Sequence, residues 1–273
     1  MMEMSGKKVL ITGSTDGVGR RVAERLAARG ATVLVHGRNT TRAEELLAGI
    51  RGAGGKATFY PADLSVLDEV RALADAIEHD HERLDILINN AGIGTSGGGA
   101  GRQVSRDGHE LRFAVNYLAG FLLTRRLLPL LRASGPARIV NVSSAGQQPI
   151  DFSDVMLTRG YSGVRAYCQS KLAQIMFTFD LAEELAGSGI TANCLHPATY
   201  MDTTMVRQAG VAPLNTVDQG SDAILNLVTS TALEGRTGLY YDGQRPSRAN
   251  AQAYDATARE RLRILSLTLT GLA

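Results

Sequence analysis

The sequence predicts an α/β fold: a single domain over residues 1–273, with a doubly wound parallel sheet of about seven strands flanked by helices. Three observations predict it. Short apolar runs alternate with longer stretches whose apolar residues recur at helical spacing, the pattern of parallel strands joined by crossover helices. A glycine-rich turn links the first run to the first helix. No repeat, linker or compositional break divides the 273 residues, a length that suits one large α/β domain.

Composition narrows the function. Hydrophobic residues at 44% and charged residues at 21% describe an ordinary globule. A net charge of +2 without a long basic run gives no case for nucleic acid. Cys168 and Cys194 lack metal-ligand spacing, so no metal is expected and the thiols read as buried in a reducing compartment. No apolar run approaches the ~20 residues that span a bilayer. The first strand starts at Lys8, which leaves no room for a signal peptide, so a cytoplasmic protein without a membrane partner is expected.

The elements follow in order. Lys8-Val9-Leu10-Ile11 is the first strand. It runs into Thr12-Gly13-Ser14-Thr15-Asp16-Gly17-Val18-Gly19, and a helix follows with Val18, Val22 and Leu26 on one face. The spacing is G-x-x-x-G-x-G rather than G-x-G-x-x-G. Strand, glycine turn and helix N-terminus together suit a dinucleotide pyrophosphate. The second strand, 31–36, ends in Gly37-Arg38-Asn39. An acidic residue there would bind a ribose 2′-OH. Arg38 can instead fork onto a 2′-phosphate, with the Ser14 and Thr15 hydroxyls nearby. A solvated loop arginine is the plainer alternative. His36 reads as a packing residue. A helix at 40–50, a strand at 56–60 ending in Pro61-Ala62-Asp63-Leu64, a helix at 65–78 and a strand at 84–88 ending in Asn89-Asn90-Ala91-Gly92 continue the alternation.

Six glycines in residues 92–101 leave that stretch too poor in side chains to pack a core, and it reads either as a lid or as an inert loop. Asp107 and Glu110 resemble a capping box, ahead of a helix carrying Leu111, Val115, Leu118 and Leu122 inward, with Asn116 between them. On residue type alone, Asn116 is a satisfied core polar group. A strand at 137–142 leads into Ser143-Ser144. Residues 147–164 form an insertion whose Ile150, Phe152, Val155, Met156, Leu157 and Tyr161 read either as a substrate wall or as a flap covering its own cluster. Beyond it lie a long helix, a strand at 190–195, Pro197-Ala198-Thr199-Tyr200, a helix capped by Thr216 and Gln219, a strand at 237–241 and a helix at 255–269.

The long helix contains Tyr167 and Lys171, four residues apart and therefore on one face. A free tyrosine titrates near ~10. A unit positive charge about 4 Å away, at an effective dielectric of roughly 20, favours phenolate by ~4 kcal/mol, or roughly three pKa units. The pair is then expected to bring the phenol into the range of a good general acid. Y-x-x-x-K alone is a weak motif; a core-edge tyrosine beside a snorkelling lysine has the same spelling.

Taken together, Thr12-Gly13-x-x-x-Gly17-x-Gly19, Asp63-Leu64, Asn89-Asn90-Ala91-Gly92, Asn116, Asn141-Val142-Ser143-Ser144 and Tyr167-x-x-x-Lys171 resemble the short-chain dehydrogenase/reductase family over essentially the whole chain. Asp107-Gly108-His109-Glu110-Leu111, Tyr167-Cys168-Gln169-Ser170-Lys171-Leu172-Ala173 and Thr237-Gly238-Leu239-Tyr240-Tyr241 resemble its retinol dehydrogenase-like branch. The resemblance implies a Rossmann-type fold and roles for matching residues. Tyr167 would be the acid/base. Lys171 would lower its pKa and hold the nicotinamide ribose. Ser144 would bond the substrate oxygen, in preference to Ser143, because the family serine is the second of such a pair. Asn116 would anchor a water in a proton relay. Asp63 with Leu64 would meet the adenine, and Asn90, Ala91 and Gly92 would lie near a ribose. Pro197, Thr199 and Thr203 would contact the nicotinamide, although Pro197-Ala198 replaces the usual Pro-Gly and Thr204 competes with Thr203 for the register.

The reading is an NADP(H)-dependent oxidoreductase that moves hydride between the nicotinamide and a hydrophobic ketone, aldehyde or secondary alcohol. Family likeness puts transfer on the pro-S face. Ile93, Gly94, Met156, Leu157, Tyr161, Tyr200, Met201 and Met205 are expected to line the substrate side, with Arg159, Arg165 and Asp202 as the nearby charges. The partner is thus a small hydrophobic carbonyl or alcohol, and assembly into a homodimer or homotetramer is left open. A competing reading is a redox sensor that binds the dinucleotide without turning it over.

Overall fold

A computed structural model describes residues 1–96 and 101–273. In chain order the elements are β1 (Lys8–Ile11), α1 (Gly17–Ala27), β2 (Thr32–Gly37), α2 (Thr40–Gly52), β3 (Lys56–Pro61), α3 (Leu67–Asp80) and β4 (Ile86–Asn89). Then come α4 (Leu111–Phe113), which widens into a π-turn over Ala114–Leu118 and continues as α5 (Ala119–Ala133), then β5 (Ala137–Val142), α6 (Gly163–Glu184) and β6 (Ile190–His196). The chain closes with α7 (Thr204–Gln208), α8 (Val217–Thr229), β7 (Tyr240–Asp242), β8 (Arg245–Ser247) and α9 (Ala256–Thr270).

The sheet order is β3-β2-β1-β4-β5-β6-β7-β8. Strands β1 to β7 pair in parallel, and β8 returns antiparallel on β7. The eighth strand exceeds the expected count of about seven. It is Arg-Pro-Ser, exposed throughout, so it carries no apolar signal, and its proline suits an edge.

Alternate strand residues face opposite layers. Leu10, Leu34, Leu87 and Ile139 pack with the side that holds α3, α5, α6 and α9. Val9, Ile11, Val33, Val35, Ile88 and Val140 pack with the side that holds α1, α2 and α8. Burying both faces explains why the strands are continuous apolar runs. The strand order reverses between β1 and β4, and it is the crevice beyond the carboxyl ends at such a reversal where ligands bind in these sheets. Helix α6 has buried residues at nearly every position from Ala166 to Ala182, a helix enclosed on all sides rather than amphipathic.

Residues 97–100 fall within the glycine-rich stretch, so its reading as a lid or an inert loop lies outside the described residues. Among the described residues, no helix is long and apolar enough to cross a membrane, and no cluster of acidic, histidine or cysteine side chains could hold a metal.

Candidate active site

The crevice is built from its glycine turn upward. Gly13 adopts φ +64°, and a Cβ there would sit 2.9 Å from Ala91 Cα. Only glycine lets the turn lie this close to the end of β4. Asn90 locks the two together, its Nδ2 donating to Thr12 O at 2.9 Å and to Gly13 O at 3.1 Å. Thr12 Oγ1 accepts from the Asn90 and Ala91 amides, each at 3.0 Å. Asn90 therefore braces the loop from inside. Gly19, at the start of α1, packs against that same Asn90 amide and Gly13 O, with no space for a Cβ.

His36 fixes the turn from the other side. The Gly13 N–H donates to His36 Nδ1 at 3.0 Å, and Nε2 faces Ala62 O at 3.2 Å, which sets the neutral Nε2–H tautomer. Burial pushes this imidazole down to about 4. Ser14 departs from expectation. Its hydroxyl is fully buried, donates to Ile11 O at 2.8 Å and accepts from the His36 amide at 3.0 Å, so it is a strut and not a phosphate ligand. Thr15 instead turns toward the end of β2, where a Cβ on Gly37 would meet its Oγ1 at 2.5 Å. Asp16 caps α1, accepting from the Gly17 amide at 2.8 Å. Val18 is buried, in the α1 face of the core.

Arg38 projects into solvent from the β2–α2 connection, 69% exposed, with Nη1 3.5 Å from Asp63 Oδ2. Burial opposes the Asp63 charge, yet bonds from Ser65 and the Arg38 guanidinium hold its carboxyl below the ordinary value. Leu64 is buried in the core, so any contact with a ligand falls to its backbone. Arg42, one turn into α2, was not legible as a site residue. It reaches back across the crevice to Asp16 Oδ2 at 2.8 Å. The spacing was the signal available: Arg38 and Arg42 lie four residues apart, on either side of the N-cap Asn39.

The catalytic candidates gather at the ends of β4 and β5 and on α6. Ser143 Oγ donates to Lys171 O at 2.8 Å and is buried, so it serves the frame. Ser144 Oγ accepts from the Gly146 amide at 3.0 Å and lies beside the Tyr167 ring, a Cβ on Gly146 falling 3.5 Å from Ser144 Oγ and 3.6 Å from Tyr167 Cε1. Of the two serines, Ser144 is the one at the phenol. Lys171 Nζ donates to Val142 O at 2.8 Å and to Gln174 Oε1 at 3.4 Å, and stands 5.9 Å from the centre of the Tyr167 ring. A Cβ on Gly92 would lie 3.5 Å from that Nζ and 3.2 Å from Asn116 Oδ1. Asn116, Tyr167, Lys171 and Gly92 thus share one corner.

The expected depression of the tyrosine pKa is not present. Burial pushes Tyr167 above its ordinary value, against the pull of the Ser144 hydroxyl. Burial also brings Lys171 down to about 8. The ammonium is spent on Val142 O and is not in contact with the phenol oxygen, so desolvation outweighs its field. The free site therefore holds a neutral phenol beside a cation.

Asn116 is likewise committed. Its Nδ2 donates to Ile93 O at 3.1 Å and Ser170 Oγ at 3.0 Å, and its Oδ1 accepts from the Ile93 amide at 2.8 Å. Both Nδ2 protons are used, while Oδ1, which would lie 3.2 Å from a Cβ on Gly92, keeps one of its two acceptor positions. It sits in the π-turn, where Ala119 N–H reaches Ala114 O; such widened turns collect at functional sites.

Beyond β6, Thr199 Oγ1 bonds His196 Nε2 at 3.0 Å, and its carbonyl accepts from Asn215 Nδ2 at 2.7 Å. Thr203, not Thr204, caps α7, and its methyl faces Gly17. The segment after Pro197 therefore folds back over the glycine turn. Tyr200 takes a left-handed φ of +45°, a strained choice for a bulky residue.

The insertion is not the free substrate wall that its apolar residues suggested. Ile150 and Val155 are buried in the main core, Phe152 and Met156 pack against it, and Leu157 is fully buried beside it. The Tyr161 hydroxyl bonds Glu110 and Arg112. What remains near the corner is Ile93 and Gly94 against Met205; Tyr200 is exposed, and Met201 packs against the core of α1 and α8 beside Gly220. The neighbouring charges are paired: Arg159 with Asp154, Arg165 with Asp151, Arg207 with Asp202.

The cradle suits a dinucleotide. The Cβ-free approach at Gly13 and Gly19 leaves backbone facing the α1 N-terminus, and a guanidinium stands at the far edge of β2.

Residues 7–212 match the family model described as short chain dehydrogenase. The chain is 35% identical over 287 residues to retinol dehydrogenase 13 of Homo sapiens, covering 98% of this chain and 85% of that one. It is similar to a crystal structure of a protein from Mycobacterium paratuberculosis, with TM-score 0.82 and 31% identity over 99% of this chain and 96% of that one. It is also similar to a short chain dehydrogenase structure from Escherichia coli CFT073 complexed with NADPH, with TM-score 0.72 and 27% identity over 89% of this chain and 98% of that one.

Proposed function

The chain belongs to the short-chain dehydrogenase/reductase family, in its retinol dehydrogenase-like branch, and from that premise we propose that it reduces hydrophobic ketones or aldehydes, and oxidises the matching alcohols, with Tyr167 as the general acid/base. Its cofactor is NADP(H), as in similar structures solved with NADP or NADPH. When bound, the nicotinamide supplies or takes the hydride.

The observation that carries the reading is the shared corner of Ser144, Tyr167 and Lys171 at the mouth of the glycine cradle. In reduction, Ser144 and Tyr167 hydrogen-bond the carbonyl oxygen. As that oxygen gains negative charge, the Tyr167 hydroxyl gives it a proton. Burial keeps the phenol protonated, which suits a donor. Lys171 holds the ribose and keeps a positive charge beside the phenol at neutral pH. Arg38 favours the 2′-phosphate, and Thr15 and the Gly17 end of α1 line the path between adenosine and pyrophosphate. The substrate side is framed by Ile93, Met205 and Tyr200 with its neighbouring charges paired, which supports an uncharged, apolar substrate. The relatives named retinol dehydrogenases point the same way, toward long apolar alcohols and aldehydes. A dinucleotide sensor would have no use for the acid/base pair.

The test is loss of NADPH absorbance on adding a series of ketones and aldehydes matched in reactivity but graded in apolar size and charge. Preference for the large uncharged members is expected. Preference for small keto acids would contradict the substrate class, and no turnover across the series would favour the sensor.

A further inference from the structure

Three consecutive backbone carbonyls leave the corner under unusual restraint. Ile93 O accepts from Asn116 Nδ2 at 3.1 Å, Gly94 O from Arg112 Nε at 2.9 Å, and Thr95 O from Arg112 Nη2 at 2.7 Å. Arg112 and Asn116 are four residues apart on one helical face, so a single face grips the whole stretch. The stretch begins beside Lys171 Nζ and runs under α7, where a Cβ on Gly94 would lie 2.9 Å from Met205 Cγ.

The guanidinium is itself held. It is 1% exposed, as is Glu110, whose Oε1 lies 3.6 Å from Nη1. Nη1 donates to Tyr161 Oη at 2.7 Å, and Tyr161 in turn donates to Glu110 Oε1 at 3.1 Å. Glu110 Oε2 accepts from the Phe113 amide at 2.7 Å. A fully buried ion pair is costly to keep, and the fork geometry of arginine is what satisfies several fixed acceptors at once. Gly163, the first residue of α6, packs against Thr95 O with no space for a Cβ. The gripped stretch therefore touches the helix that carries Tyr167 and Lys171, as well as α7.

We propose that Arg112, braced by Glu110 and Tyr161, is a positioning residue for the substrate: it fixes Gly94 and Thr95, which with the neighbouring Ile93 form the wall that aims a bulky apolar carbonyl at Tyr167. This rests on the function proposed above. Arg112 touches no reacting atom. It acts through the backbone it holds, and a displacement of about 1 Å in such a wall is enough to cost roughly a hundredfold in rate for a substrate that depends on it. A small ketone, free to reorient, depends on it less.

The experiment measures kcat and KM over the graded ketone series, NADPH affinity, and hydrogen exchange at the Ile93 amide. It compares the parent chain with Arg112→Lys, the charge-balanced double variant Arg112→Met/Glu110→Gln, Tyr161→Phe and Tyr167→Phe. In the double variant, KM for the largest ketones should rise about tenfold or more, while KM and kcat for the smallest stay within about threefold. NADPH affinity should hold and Ile93 exchange should quicken. Arg112→Lys should recover part of the KM, and Tyr161→Phe should shift it in the same direction by less. Equal changes across the size series, or unaltered Ile93 exchange, overturn the proposal. Should the double variant fail to fold, an unshifted KM spread in Tyr161→Phe overturns it instead. A parent chain that reduces no ketone, or an active Tyr167→Phe, brings down the proposed function. The exchange result then decides the clamp alone.

Discussion

At the scale of single residues, the site depends on where polar atoms are already spent. Arg38 is mostly exposed and only loosely paired with Asp63 at 3.5 Å, so little has to be undone for it to take a 2′-phosphate. A charge-assisted bond is worth ~1.5–3 kcal/mol, roughly ten- to a hundredfold in affinity. NADPH should therefore bind tighter than NADH by up to that factor, and Arg38→Glu should erase or invert the difference. Titration with both nucleotides checks this, and equal dissociation constants in the parent chain would rule it out. His36 makes a second case. Its pKa falls from an ordinary value near ~6.5 to about 4 on folding, because burial disfavours the charged ring. The unfolded chain then binds the extra proton as pH drops from ~6.5 toward 4, so stability is full above that window and lost through it. The expected loss is about 3 kcal/mol. Denaturant titrations across that range should show the slope, and His36→Gln should flatten it. The Tyr167–Lys171 spacing and the choice of Ser144 over Ser143 were legible in sequence. The burial of Ser14, the partners of Asn116 and the upward shift of Tyr167 were not, because each depends on which groups of other elements pack around the side chain.

At the scale of elements, periodicity locates strands and helices where apolar faces are long, and fails where they are short or local. Strand β8 has no apolar residue to announce it. The π-turn at Ala114–Leu118 inserts one residue into a helix, and the expected inward run holds only at Leu118 and Leu122: Leu111 and Val115 are partly buried, while Phe113, Tyr117 and Phe121 enter the core. The insertion is the instructive case. Its apolar residues were visible, but their direction was not. Asp154 ties the segment down by accepting from the Thr158 and Arg159 amides at 2.8 and 3.0 Å, and that turn sends Leu157, at φ +49°, away from solvent. Leu157 is fully buried, so Leu157→Ala should cost ~2–5 kcal/mol of stability. The same substitution should leave the KM ranking of substrates unchanged. Urea unfolding and a KM series check the two halves. A change in substrate ranking with little loss of stability would mean that the segment lines the pocket after all.

At the scale of the whole molecule, the architecture was readable because a parallel sheet buried on both faces forces continuous apolar strands, and the crevice position follows from the strand order. The two flanking cores are nearly complete without ligand, while the glycine turn, the end of β4 and the α7 segment meet only at the crevice. A dinucleotide that spans them should stabilise the fold as a unit. At a hundred times its dissociation constant the gain is ~2.7 kcal/mol, which raises the midpoint of thermal unfolding by roughly 5–10 °C at this chain length. NADH at the same concentration should do less, and no shift with either nucleotide would contradict the cradle.

The central claim is that Tyr167 gives the proton while NADPH provides the hydride, and steady-state NADPH oxidation with a large apolar ketone, in the parent chain and in Tyr167→Phe, tests it most directly. The substitution removes one hydroxyl and keeps the ring. Turnover should fall by ~10²–10⁴, with NADPH affinity nearly unchanged. A Tyr167→Phe variant that keeps more than about half of the parent activity would show that the proton comes from elsewhere.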